Sequence, residues 1–302
     1  MNDITKKRLP FRGVGTALVT PFDGSGRVDL PTFSRLCERQ IEGGAAALVV
    51  AGTTGESVTL RKSERASLLF AASEAGAGRV SIVAGTGSAD TREAVSNARY
   101  AATHGADALL VVTPYYNKGT REGLVKHYLA IAEAVDIPII LYNVPSRTGV
   151  NIPMEALGRL AEHENIVAIK EASGNIDRAA DIITEFSERL WLYSGNDGEI
   201  LPTLALGGVG VISVVSNLLP QETVKLCTLY DGGRVEEARA LAARLLPLIR
   251  LLFADTNPAP VKYAMQLLGL ASAEVRLPLT VPDGVLAERI KSALITVTGH
   301  IE

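Results

Sequence analysis

Short apolar runs alternate with longer amphipathic stretches from near the start of the chain to about residue 215. Each run is continuously apolar, which is typical of strands buried on both faces of a sheet. The pattern therefore predicts eight buried β-strands. They span residues 14–20, 47–51, 80–84, 108–112, 138–142, 166–170, 190–194 and 209–214.

The stretches between these strands carry helical periodicity and helix-end signals. Predicted helices span residues 30–42, 62–74, 91–103, 122–134, a segment from 153, and 176–186. Because each strand reaches the next through a helix, the strands should be parallel. Eight such units predict an α/β fold of the (β/α)₈ TIM-barrel type. An open doubly wound sheet is the alternative, but the glycine fingerprint for a dinucleotide is missing after the first strand.

Beyond residue 219 the pattern predicts additional C-terminal helices and no further strand. They span residues 221–252, where Pro247 should introduce a bend, 258–268 and 284–294. We therefore expect a barrel over residues 1–220 and a C-terminal helical extension over 221–302, packed on the barrel as one structural unit.

Composition narrows the class of protein. With 47% hydrophobic and 21% charged residues, the chain can bury a large core. A net charge of −3 and a pI near 5.9 argue against nucleic acid or an anionic membrane as a partner. No apolar run approaches the roughly 18 residues of a membrane span. Cys37 and Cys227 are expected to be core thiols in a reducing cytoplasm. Four scattered histidines show no metal-ligand spacing, so no metal is expected.

Polar residues gather where the predicted strands end. Active sites of these barrels lie at the carboxyl ends of the strands, in the loops that enter the helices. The segments concerned are Gly-Thr-Thr-Gly-Glu-Ser at 52–57, Gly-Thr-Gly at 85–87, Thr-Pro-Tyr-Tyr-Asn at 113–117, Tyr-Asn-Val-Pro-Ser-Arg-Thr-Gly at 142–149, Lys-Glu at 170–171 and Ser-Gly-Asn-Asp at 194–197. All should converge on one mouth.

Lys170 ends the apolar sixth strand, so its amine should point into or just above the barrel. A partly desolvated, neutral lysine is what nucleophilic attack on a keto group requires. The sequence therefore predicts a Schiff-base lysine. The alternative is a structural lysine in a salt bridge with Glu171 or another carboxylate.

Each of the other candidate site residues could also have a purely structural role. Tyr142 could relay a proton, or be a core tyrosine. The Thr53-Thr54 loop could bind a carboxylate or only cap the next helix. Arg147 could bind a second carboxylate or only be solvated. The glycine cluster at 207–210 suggests phosphate binding or tight barrel packing equally well.

These motifs resemble those of the pyruvate-dependent class I aldolases of the dihydrodipicolinate synthase and N-acetylneuraminate lyase superfamily. The resemblance runs from Gly-Thr-Ala-Leu-Val-Thr-Pro-Phe at 15–22 to about residue 279. Three motifs favour the synthase branch: Gly-Thr-Thr-Gly-Glu at 52–56, the tyrosine motif at 142–149 and Lys-Glu-Ala-Ser-Gly-Asn at 170–175.

The resemblance implies an enzyme that condenses pyruvate with aspartate 4-semialdehyde in lysine and diaminopimelate biosynthesis. Lys170 would form the imine with pyruvate, and no metal or organic cofactor would be needed. Tyr142 would be the general acid/base, linked through Thr53 to a Tyr116 from a neighbouring subunit. That role implies at least a dimer, and the resemblance favours a homotetramer. Thr54 and the backbone at Ile212 would hold the pyruvate carboxylate, and Arg147 would bind the aldehyde's carboxylate.

The resemblance also implies a site for inhibition by lysine, from which this chain departs. Ser57 and Glu93 match that site, but Lys62 and Arg65 stand where histidines are common, and Ala89 where an asparagine is expected. Because cationic side chains repel a cationic effector, we expect weak or absent inhibition by lysine.

Two other functions stay open from the sequence. One is a catabolic relative that splits or dehydrates a keto acid such as a 2-keto-3-deoxy sugar acid, which Arg147 and the paired threonines disfavour. The other is a non-catalytic keto-acid-binding barrel. The combination of Lys170, Tyr142, Thr53 and Tyr116 argues against a mere binding module.

Overall fold

In a computed structural model that describes residues 7–299, eight parallel strands close into a barrel in sequence order, with β8 paired to β1. The predicted TIM barrel is thereby confirmed. Its strands are β1 Gly13–Ala17, β2 Ala47–Val50, β3 Ser81–Gly85, β4 Ala108–Val112, β5 Ile139–Asn143, β6 Ile166–Glu171, β7 Trp191–Ser194 and β8 Gly210–Ser213.

The helices surround the barrel and continue beyond it. They are α1 Leu30–Glu42, α2 Lys62–Gly76, α3 Thr91–Thr103, α4 Arg121–Ala132, α5 Pro145–Thr148, α6 Met154–Leu160, α7 Ile176–Phe186, α8 Ile200–Leu206, α9 Pro220–Asp231, α10 Val235–Leu252, α11 Ala259–Leu267 and α12 Gly284–Thr298. Between residues 7 and 299, no helix combines the length and apolarity needed to cross a membrane.

Three helical segments differ from the predictions. α5 and α8 were not predicted, because their four and seven residues are too few to show a helical period. The single helix predicted for residues 221–252 is two helices, α9 and α10, separated at Gly232-Gly233. Gly233 has φ +74°, a conformation that glycine adopts without strain. Pro247 lies inside α10.

The C-terminal helices share a hydrophobic core with the barrel. Val14 of β1 and Val211 of β8 belong to the same buried cluster as Leu245 of α10, Val261 of α11 and Ile290 of α12. The helices beyond β8 therefore pack on the barrel wall. The division of the chain at residue 220 stays a prediction, and residues 1–6 and 300–302 of the two predicted regions lie outside the described part.

The glycine cluster at 207–210 is explained by packing. A Cβ on Gly208 would lie 2.5 Å from Thr203 Cγ2, and one on Gly210 would lie 2.0 Å from the carbonyl oxygen of Gly13. A side chain at Gly208 would clash with Thr203 of α8, and one at Gly210 would clash with β1. Tight packing against α8 and β1 accounts for these two glycines.

Candidate active site

A cavity of about 520 Å³ opens at the carboxyl ends of the strands. It brings together five of the seven predicted site residues: Thr53, Thr54, Tyr142, Arg147 and Lys170. Active sites of (β/α)₈ barrels occupy this end of the fold. The cavity is therefore the candidate active site.

Lys170 and Tyr142 are neighbours because their strands are paired in register. Lys170 of β6 lies opposite Tyr142 of β5, and both side chains are buried. The Lys170 Nζ lies 4.2 Å from the centroid of the Tyr142 ring. A cation over an aromatic face is stabilised by the ring quadrupole. The arrangement places an amine and a phenol side by side in the cavity wall.

The next residues on both strands belong to a different network, since successive strand side chains point to opposite faces. The Glu171 carboxylate accepts hydrogen bonds from Asn143 Nδ2 at 2.9 and 3.0 Å and pairs with Arg178 Nε at 2.9 Å. It also accepts from the Ser173 N–H. Glu171 is therefore committed to Arg178, which argues against a salt bridge between Glu171 and Lys170.

A second buried carboxylate, Asp197, lies close enough to Lys170 for their charges to interact. Its Oδ2 accepts from the backbone N–H groups of Val214 at 3.0 Å and Val215 at 2.8 Å. Burial raises the pKa of the Asp197 carboxyl, although its hydrogen bonds and Lys170 oppose this. Asp197 fixes the turn after β8, whose residue Val214 lines the cavity.

A buried ion pair holds the loop that carries Thr53 and Thr54. Lys262 of α11 reaches Glu56 Oε1 at 2.8 Å, and the two side chains are 0% and 2% exposed. The same Nζ donates to the carbonyl oxygen of Thr20 at 2.8 Å. Burial lowers the pKa of Lys262, an effect that Glu56 opposes. The C-terminal extension thus fixes the loop that carries Thr53 and Thr54.

Arg147 is exposed on α5, and its guanidinium is oriented by the backbone of Asn257. Its Nη2 donates to the Asn257 carbonyl oxygen at 3.1 Å. The Asn257 side chain in turn donates from Nδ2 to Thr54 Oγ1 at 2.9 Å. One residue of the α10–α11 connection therefore contacts both Thr54 and Arg147.

Two predicted residues lie outside the cavity lining. Tyr116 is 90% exposed and has φ +70°, so it projects from the β4–α4 loop into solvent. Ile212 is fully buried in β8. The pairing of β8 with β7 reaches Val211, so Ile212 lies one residue beyond the last of these pairs. The Ile212 backbone role stays a prediction.

The sequence patterns did not identify the α10–α11 connection as part of the site. Residues Phe253 to Asn257 all line the cavity. They follow a helix, not a strand, so the rule that places strand-end loops at the mouth could not find them. The sequence predicts Asp197 at the mouth of the barrel but indicates no role for it. The Asn257-Pro258 dipeptide between two predicted helices is a turn signal at most.

Comparison with known proteins agrees with this geometry. Residues 10–294 match the dihydrodipicolinate synthetase family. The 4-hydroxy-tetrahydrodipicolinate synthase of Exiguobacterium sibiricum is 48% identical over 269 residues, covering 89% of this chain and 92% of that protein. The solved structure of the 4-hydroxy-tetrahydrodipicolinate synthase from Methylacidiphilum fumariolicum is 42% identical, covers 95% of this chain and 96% of that one, and superposes with a TM-score of 0.93. That of the dihydrodipicolinate synthase from Cyanidioschyzon merolae with lysine bound is 41% identical, covers 96% and 99%, and gives 0.92. The chain belongs to the dihydrodipicolinate synthetase family.

Proposed function

We propose that this enzyme condenses pyruvate with aspartate 4-semialdehyde to 4-hydroxy-tetrahydrodipicolinate, a step of lysine and diaminopimelate biosynthesis. The observation that carries the proposal is the buried Lys170 amine, 4.2 Å from the Tyr142 ring centroid in the cavity wall. The synthases to which the chain is similar support the choice of substrates. Neither a metal nor an organic cofactor is required, because the imine itself withdraws electrons from the carbon that reacts.

The reaction begins when Lys170 Nζ, after giving up its proton, attacks the keto carbon of pyruvate. The carbinolamine loses water to give the imine, and loss of a methyl proton gives an enamine. The enamine carbon then attacks the aldehyde carbon and forms the new C–C bond. Finally, the substrate's own amino group attacks the imine carbon, closes the ring and releases Lys170. In total, pyruvate and aspartate 4-semialdehyde are converted to the cyclic product, and one molecule of water is released.

The surrounding groups orient the two carboxylates. Thr54 is buried and lines the same cavity as Lys170. With the backbone at Ile212, it would hold the carboxylate of pyruvate. Arg147 supplies a planar guanidinium for the carboxylate of the aldehyde. Its contact with the Asn257 carbonyl limits the orientations that the guanidinium can take. These groups would hold the enamine and the aldehyde together.

Tyr142 would relay protons through Thr53 to a Tyr116 from a second copy of the chain. Tyr116 is 90% exposed. Three other large side chains are also exposed: Val58 in the turn before α2, Phe70 on α2 and Tyr100 on α3. A second copy would cover such side chains. We therefore propose a homo-oligomer of at least a dimer, and a homotetramer as its complete form. Buried, unpaired Cys37 and Cys227 are consistent with a reducing cytoplasm.

The proposal is tested by trapping the imine. The protein is incubated with pyruvate and borohydride, and the modified residue is located by mass spectrometry of peptides. Turnover is then measured with aspartate 4-semialdehyde in a coupled assay. A reduced pyruvate adduct on Lys170 together with turnover supports the proposal. An adduct without turnover retains the imine chemistry and points to a catabolic keto-acid relative. The absence of an adduct on folded protein overturns the central claim.

We expect Tyr142→Phe to slow imine formation and turnover by about 10²-fold or more, because a positioned general acid/base contributes about 10²–10⁴-fold. The phenyl ring still fills the buried position, so the fold should persist. Rapid-quench borohydride trapping follows imine formation, and steady-state assays follow turnover. Tyr230→Phe on α9 is the control. A Tyr142→Phe enzyme within about threefold of wild type would exclude the proton-relay role.

We expect lysine to inhibit this enzyme weakly or not at all. Lys62 and Arg65 line one cavity of about 370 Å³ between α2 and α3. The Glu93 carboxylate accepts a hydrogen bond from Ser88 Oγ at 3.0 Å. Two cationic side chains repel the two ammonium groups of lysine. Calorimetric titration and inhibition assays check this, with the Cyanidioschyzon merolae relative as a lysine-binding control. Tight binding with matching inhibition would contradict the prediction.

A further inference from the structure

The cavity of about 370 Å³ between α2 and α3 is separate from the candidate active site, because no residue lines both. Its volume is typical of a site for a small molecule. Most of its wall is apolar and is formed by Val50, Ala51, Ala66, Leu69, Ala84 and Ala101. The cavity can therefore hold the apolar part of a small ligand.

The polar part of the wall carries positive charge without a matching carboxylate. Lys62 and Arg65 of α2 line the cavity, and none of its lining residues within the described part of the chain is an aspartate or a glutamate. Glu64, which lies between the two cations in sequence, pairs instead with Arg276. Cations beside an apolar surface attract an anion more strongly than they would in bulk water. The charge of the cavity thus favours a ligand that bears a carboxylate.

Two buried polar atoms on lining residues, Arg65 Nε and Thr86 Oγ1, have no hydrogen-bond partner within residues 7–299. The Thr86 side chain is 3% exposed. Its backbone is satisfied, since the N–H donates to the carbonyl oxygen of Leu110 at 3.1 Å and the carbonyl accepts from Asn97 Nδ2 at 3.5 Å. Arg65 Nη2 donates to the Ser57 carbonyl oxygen at 2.6 Å, which limits the orientations of the guanidinium. Buried polar atoms without partners are costly, so an acceptor on a ligand would bind there favourably.

We propose that this cavity binds a small organic acid. Arg65 and the Thr86 hydroxyl donate hydrogen bonds to the ligand's carboxylate, and the apolar part of the ligand packs against Leu69 and the neighbouring alanines. A guanidinium held in a fixed orientation is suited to a carboxylate, because its N–H groups match the two oxygens. Lys62 is exposed and adds a weaker, solvent-screened attraction.

The experiment uses calorimetric titration of the purified oligomer with 3-phenylpropanoate, a carboxylate with an apolar body. Its neutral amide, 3-phenylpropanamide, has the same shape and is titrated in parallel. Arg65→Met and Thr86→Val test the two donors. Arg147→Met is the control, because Arg147 is an exposed cation of the candidate active site and reports any binding of the probe there.

We expect wild type to bind the acid about tenfold or more tightly than the amide. Arg65→Met should weaken binding of the acid by about 10- to 100-fold, the effect of a hydrogen bond between charged groups. Thr86→Val should weaken it by about 3- to 10-fold. Without ligand, Thr86→Val should not lower the Tm, because valine replaces a buried hydroxyl that has no partner. Arg147→Met should bind the acid as wild type does.

Equal affinities for acid and amide, or no detectable binding of either, would overturn the proposal. Unchanged affinity in both Arg65→Met and Thr86→Val would overturn it too, as would loss of binding in Arg147→Met alone, which would place the probe in the active site. Thr86→Val keeps the shape of the side chain, so the proposal can be refuted even if Arg65→Met fails to fold. Failure to trap an imine on Lys170 would refute the proposed function and leave this inference intact, because the two cavities share no lining residue.

Discussion

Lys170→Met is expected to abolish the pyruvate adduct and to lower turnover on the order of 10⁴-fold or more, because removal of the nucleophile leaves only substrate binding and proximity. Methionine has a similar length and no amine, so the buried position beside Tyr142 stays filled. The fold should therefore be retained. Borohydride trapping with peptide mass spectrometry and steady-state assays measure the two effects.

Lys126→Met is the matched control, since Lys126 is an exposed lysine on α4. It should keep both the adduct on Lys170 and normal turnover. Circular dichroism of the three proteins shows whether the barrel is intact. A folded Lys170→Met enzyme with residual activity near that of wild type would refute the covalent mechanism, whatever adducts form elsewhere on the chain.

The barrel was predictable because its strands are buried on both faces, so each reads as a continuous apolar run. The run at 166–170 ends in a lysine, and that break in polarity located the strongest candidate residue. Tyr142 could be placed beside it because parallel neighbouring strands end at the same edge. The sequence patterns placed the two residues at the same edge of the sheet. The register of β5 and β6 shows that they are direct neighbours.

Asn257 and the rest of the α10–α11 connection could not be predicted from the sequence. Their place at the mouth depends on how α10 and α11 pack on the barrel, which is a matter of tertiary contacts far apart in the chain. Asn257 and Thr54, for example, are separated by 203 residues. Local periodicity carries no information about such a contact. The same limit hid the salt bridge between Lys262 and Glu56, because neither residue breaks a local pattern.

The C-terminal extension therefore serves the site as well as the core. Asn257 contacts Thr54 and Arg147, and Arg276 pairs with Glu64 and donates its backbone N–H to Glu56 Oε2 at 2.9 Å. The extension thus contacts the loop that follows β2 at two residues, Thr54 and Glu56. The contacts that orient Thr54 and Arg147 therefore come from residues beyond the eight strands.

Lys262→Met is expected to lower the free energy of unfolding by about 3–5 kcal/mol, the usual cost of removing one partner of a buried ion pair. The Glu56 carboxylate, 2% exposed, would keep the Arg276 N–H but lose its cation. Burial lowers the pKa of Lys262, so the pair is not free of desolvation cost, yet an unpaired buried carboxylate costs more. Urea unfolding followed by circular dichroism measures the change.

The double variant Glu56→Gln with Lys262→Met separates loss of the charge balance from loss of packing. Glutamine keeps an acceptor for the Arg276 N–H and removes the buried charge, so most of the lost stability should return. Lys225→Met, at an exposed lysine on α9, should stay within about 0.5 kcal/mol of wild type. Because Glu56 lies two residues after Thr54, Lys262→Met should also raise KM for pyruvate. A double variant as unstable as Lys262→Met would show that packing of the lysine stem, and not the buried charge, holds this loop in place.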